Sequence, residues 1–126
     1  MARAAKPGLR LVHPRTGRVL VDRLMVPRTF VGRGLGLMFR SRLDAGQGMW
    51  IVPCNGIHMF FMNFPLDLVF LDRQDRVVRT YERFGRWRVI PIVWGAHSVL
   101  ELPAGTLDGL GLEKGEALTI EGRPVS

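Results

Sequence analysis

Cysteine is almost missing from this chain: Cys54 is the only one among 126 residues. A single thiol cannot close an internal disulfide, so the fold must rest on its core, and a reducing cytoplasm is the expected compartment. Long apolar runs are missing too. Arg or Asp interrupts each candidate well before the roughly 18 residues that a membrane helix needs. The basic start, "MARAAKPGLRL", is not followed by the apolar stretch that marks a signal peptide. No internal repeat and no low-complexity tract is present. Lysine is scarce, since sixteen of the eighteen basic residues are Arg.

What is present is globular, with 47% hydrophobic and 23% charged residues. The length suits one domain around one core, spanning residues 1–126, with residues 1–8 expected to be disordered. The net charge of +7 is unevenly spread. Residues 1–42 carry ten Lys or Arg against Asp22 alone, while residues 43–126 carry eight against ten acids. A basic N-terminal third could attract nucleic acid or an acidic partner by its field. A solvated basic face would look the same.

The pattern of short alternating runs predicts strands. "LRLVH" and "RVLVDRLMV" flank a turn at Pro14 to Gly17. "LDLVFL" and "RVVRTY" form a second hairpin, and "SVLELP" and "EALTIEG" two more strands. Thr29 could cap one short helix with Val31, Leu35, Met38 and Phe39 on one face, although Gly32, Gly34 and Gly36 weaken it. Asn55-Gly56 between apolar runs predicts a tight hairpin turn, pairing Cys54 with Ile57 and Pro53 with His58. That register puts Cys54 and His58 on opposite faces. A turn-rich loop, with about one helical turn, should follow Thr106. About eight short strands and one short helix predict a mainly β protein, an antiparallel sandwich or partly closed barrel.

Three constellations carry possible chemistry. Cys54, His58 and Met62, with His13 upstream, loosely follow the ligand order of a copper site. The hairpin geometry counts against it, and no metal or other cofactor is expected. Asp67 and Glu101 are acids on apolar strand faces, where a carboxylate must be paired or hydrogen-bonded. Arg40 and His58 are the candidate partners, so Arg40, His58, Asp67 and Glu101 form a candidate polar site. A structural Asp67–Arg40 ion pair is the plainer reading, and a pocket for a small polar ligand the sharper one. "RTYERFGRWRV" interleaves arginines with aromatics, making Arg83, Arg86, Trp87 and Arg88 candidate contacts for single-stranded RNA or DNA. Neither Cys54 with His58 nor Ser98 with His97 forms a readable nucleophile and base pair.

"GLMFR" (36–40) with Leu43, "GMW" (48–50), "FFMNFPLDLVFLD" (60–72), "VLELPAG" (99–105) and "GLEKGEALTI" together resemble Domain of Unknown Function family 192. The likeness runs over about residues 18–120. Where that family commonly reads tryptophan-methionine-lysine-asparagine-threonine, this chain has Phe61 to Pro65, so no role of that Lys or Thr carries over. The resemblance implies a β-sandwich-like fold and no particular activity. The sequence therefore leads to a small soluble cytoplasmic β-domain, a binding module for a small polar ligand or a partner macromolecule. Nucleic-acid binding stands second and copper binding third.

Overall fold

The computed structural model describes residues 8–26, 43–58, 64–85 and 89–123, with the backbone alone at Ile57, His58 and Val89. Nine strands order the described residues: β1 (Leu9–His13), β2 (Arg18–Met25), β3 (Gln47–Ile51), β4 (Ile57–His58), β5 (Leu66–Leu71), β6 (Val77–Phe84), β7 (Val89–Ile90), β8 (Ser98–Pro103) and β9 (Thr119–Glu121). Seven of them make one sheet in the order β6-β5-β8-β3-β2-β1-β9, curled into a half-barrel. The remaining two, β4 and β7, pair as a small separate ribbon. The sheet is mixed, because β2 and β3 run parallel while the other neighbours are antiparallel. No helix occurs among the described residues, and none there is long and apolar enough to cross a membrane. The helix expected after Thr29 lies outside them.

Two of the three predicted hairpins form. In the first, β1 and β2 close over Pro14–Gly17, and Gly17 takes φ +74°, which its missing Cβ permits. The Gly17 N–H donates to the His13 carbonyl at 2.8 Å. In the second, Asp72 directs the turn between β5 and β6: its carboxylate accepts from the Gln74 and Arg76 N–H groups at 2.9 and 3.0 Å. After β8, residues 104–110 form successive three-residue turns, with Thr106, Asp108 and Leu110 N–H groups each donating three residues back.

The Asn55-Gly56 hairpin does not form, and this is the main correction to the sequence reading. β3 pairs with β2 and β8, and β4 crosses to β7 instead, with Ile57 opposite Ile90 and His58 opposite Val89. Between β3 and β4 the chain is tied to other segments: the Cys54 N–H donates to the His97 carbonyl at 2.8 Å, and the Val93 N–H to the Asn55 carbonyl at 2.6 Å. Gly56 has no positive φ. It is a glycine because a Cβ there would lie 2.3 Å from the Pro91 carbonyl oxygen and 2.6 Å from that of Ile90. Close backbone approach selects the same residue as a type I′ turn.

Strand pleating divides the core in two. Leu66, Leu68 and Phe70 on β5 face a cluster with Met49, Ile51, Val99, Ile90 and Val93. Val69 and Leu71 face the other way, into a cluster with Leu11, Val21, Leu100, Leu102, Leu107 and Leu118. All six residues of β5 are buried, as a strand apolar on both faces requires. Each fully buried Leu or Val contributes about 2 kcal/mol of transfer free energy.

Candidate functional site

Asp67 and Glu101, the two acids that the sequence placed in one polar site, are both buried, at 0% and 6% exposure. The register keeps them apart. Across β5 and β8, Asp67 opposes Leu102, while Glu101 opposes Leu68. Directly opposed residues share a face. Asp67 therefore faces the cluster around Leu102, and Glu101 the cluster around Leu68 and Met49.

Asp67 is fully satisfied by backbone. Its Oδ1 accepts from the Arg83 N–H at 2.8 Å, and its Oδ2 from the Gly105 and Leu107 N–H groups at 3.1 and 2.9 Å. One carboxylate thus ties the end of β6 to the turn after β8. Arg83 takes φ +50°, a left-handed conformation that a non-glycine residue adopts only when its surroundings enforce it. Its guanidinium meets Asp108 as a fork, with Nη1–Oδ1 at 2.9 Å and Nη2–Oδ2 at 2.5 Å. That pairing holds the Asp108 carboxyl below its ordinary range. It also occupies the one described arginine among the candidate nucleic-acid contacts. Arg86, Trp87 and Arg88 lie outside the described residues, as do Arg40 and Met62 and the side chain of His58.

Glu101 is the opposite case. Among the described residues nothing donates a hydrogen bond to its carboxylate. Burial alone pushes its carboxyl up to about 7. It stands in a row that crosses five strands on one face: Met25 on β2, Met49 on β3, Glu101 on β8, Leu68 on β5 and Tyr81 on β6, each opposite the next. Tyr81 is half-buried and stacks edge-on against Phe70 and Phe84, with ring centroids 6.1 and 5.6 Å away. The arrangement offers one proton-binding group, two polarisable thioethers and an aromatic ring on an otherwise apolar surface.

A second polar cluster had no signal in the sequence. His13, fully buried on β1, places Nδ1 2.7 Å from Thr16 Oγ1 and Nε2 2.5 Å from Glu116 Oε2. Arg15 reaches the same Glu116 oxygen at 3.1 Å and the Leu110 and Gly111 carbonyls at 3.0 and 3.1 Å. Burial pushes the Glu116 carboxyl up, but hydrogen bonds from Arg15, the Glu113 N–H and His13 outweigh it and draw it down to about 2. About a hundred residues separate His13 from Glu116, so no spacing rule connects them. Every polar group in the cluster has a structural partner, which makes it a clasp between the first turn and the loop before β9.

The Cys54 thiol donates to the Gly56 carbonyl, 2.8 Å away. No group of three or more His, Cys, Asp or Glu suited to a metal occurs among the described residues.

A curled, mixed half-barrel of strands, with one buried carboxyl that has no hydrogen-bond donor among the described residues, defines a small β-domain. The chain belongs to the DUF192 family, described as an uncharacterized ACR, whose model matches residues 12–120. It is 32% identical to a UPF0127 protein of Thermococcus sibiricus over 88% of this chain and 74% of that one. Among solved structures, a protein of unknown function from Novosphingobium aromaticivorans matches with a TM-score of 0.73 at 24% identity, over 88% of this chain and 82% of that one. A Sinorhizobium meliloti protein provisionally described as a transcription regulator matches with a TM-score of 0.72 at 27% identity, over 98% and 99% of the two chains.

Proposed function

We propose that this chain is a binding module, and that its ligand is a small polar molecule presenting a cation or an N–H donor to Glu101. The observation that carries the reading is a carboxyl with 6% exposure and no hydrogen-bond donor among the described residues. Burying such a group unpaired costs several kcal/mol when it is charged. Folds retain costs of this kind mostly where a group is used. A cationic or N–H ligand would supply the missing partner, and Met49 and Leu68 on either side would pack against its apolar part.

Binding of a cation requires the charged carboxylate, so affinity should rise with pH up to about 7 and then level off. The test is thermal unfolding and calorimetry at pH 8 with methylamine, agmatine, imidazole and acetamide, on the protein and on Glu101→Gln. A probe that stabilises the parent protein and loses its effect in Glu101→Gln supports the reading. Equal responses in both proteins, or none in either, contradict it.

A further inference from the structure

Among the described residues β6 is an edge strand, and only its beginning is covered. The Val77 N–H donates to the Glu116 carbonyl at 2.8 Å, and the Val77 carbonyl accepts from the Gly115 N–H at 2.7 Å. An isolated bridge from Arg76 to Ala117 extends this contact. The chain thus lays its own backbone along the outer edge of β6 and then turns away. From Val78 to Glu82 the strand pairs with β5 on one side and, among the described residues, with no strand on the other. An open groove of about 470 Å³ starts where the self-pairing stops, lined by Val78, Arg79, Ile92, Trp94, Leu112 and Lys114 among others.

Two features of the groove call for a partner. Trp94 is 83% exposed and Ile92 49%, side by side on the loop before β8. Among the described residues, the groove is lined by two cations and by no carboxylate. Arg79 is held over the Tyr81 ring, 5.3 Å from its centroid. We propose that this edge docks an extended acidic peptide segment of a partner protein by strand addition. The open strand supplies backbone donors and acceptors at peptide spacing. Alternate residues of the added strand would face Trp94 and Ile92, and the acidic ones would meet Arg79 and Lys114. A nucleic-acid strand fits less well, because base stacking tracks a series of aromatic platforms and Trp94 is the only aromatic lining the groove among the described residues.

The test uses the full chain against arrayed seven-residue peptides that alternate Glu or Asp with Val, Ile or Tyr. Control arrays carry Lys at the acidic positions or a central Pro, and a twelve-nucleotide oligo-dT is titrated in parallel. The proposal expects binding to the acidic array only, with amide exchange slowed over Val78–Glu82. Affinity should fall about tenfold or more in Trp94→Ala, and likewise in Arg79→Glu/Lys114→Glu. Both variants change exposed side chains, and unchanged circular dichroism and melting verify their folds. Binding of oligo-dT without peptide binding overturns the proposal. So does equal binding to the Lys array, undiminished binding by Trp94→Ala, or no binding to any array. Failure on every array would leave Arg79 and Lys114 as guards against edge-to-edge aggregation.

Discussion

Glu101 opposes Leu68 across β5 and β8, and the next residue along, Asp67, opposes Leu102, so the chain's two most buried carboxylates point to opposite faces of one sheet. A single-residue offset separates an acid held by backbone from one that has no donor among the described residues. Asp67 has three backbone N–H donors and Glu101 has none among the described residues.

Asp67→Asn should therefore destabilise the fold. The amide keeps one acceptor oxygen and turns an NH₂ group towards backbone N–H donors. A loss of about 2–4 kcal/mol is expected, since buried donors are left without acceptors. Urea unfolding measures it. A variant within about 0.5 kcal/mol of the parent would show that Asp67 is not the tie between β6 and the 105–107 turn.

Glu101→Gln should do the reverse above neutral pH. The folded carboxyl titrates near 7 against an ordinary value of 4.5, so the folded state holds its proton longer than the unfolded state. Stability is then lost as pH rises from about 4.5 to about 7, and stays lost above that. The full loss is on the order of 3 kcal/mol at about 1.4 kcal/mol per pH unit. Subtracting the stability curve of Glu101→Gln from that of the parent should expose this fall. A flat difference would count against it.

Glu116 carries the opposite sign. Its folded carboxyl lies near 2, below the ordinary 4.5, so its contribution is present above about pH 4.5 and lost as pH falls towards 2. Melting of the parent and of Glu116→Gln should converge over that window and diverge above it. Parallel curves would mean that the clasp to His13 and Arg15 does not stabilise the fold.

Gly56→Ala should cost about 2 kcal/mol or more, because the added Cβ meets two backbone carbonyls that no rotamer change can move. Melting of the variant checks it. A neutral substitution would contradict the close approach of the 54–56 loop to β7.

The legible part of this fold was local. Alternation placed β1, β2, β5, β6, β8 and β9, and turn chemistry placed the two hairpins, because strand pleat and turn backbone are properties of neighbouring residues. The acids on the apolar faces of "LDLVFL" and "SVLELP" were correctly read as buried. Long-range pairing was not legible. Asn55-Gly56 satisfies a hairpin rule locally, yet Gly56 serves the approach of Pro91, some 35 positions on. The faces of Asp67 and Glu101 depend on the β5–β8 register, which neither strand encodes alone. The backbone donors of Asp67 come from Arg83, Gly105 and Leu107, and no side-chain pattern announces a backbone N–H. His13 and Glu116 are brought together only by the folded sheet, about a hundred positions apart in sequence.

The most direct measurement of the central claim is a titration of the Glu101 side-chain carboxyl carbon by NMR, followed from pH 4 to 9 with and without a probe that binds. Without a partner the midpoint should fall near 7, and a bound cation should move it down, because the ligand favours the charged form. A midpoint near 4.5 in the free protein would show that Glu101 already has its partner, and the binding reading would fall with it.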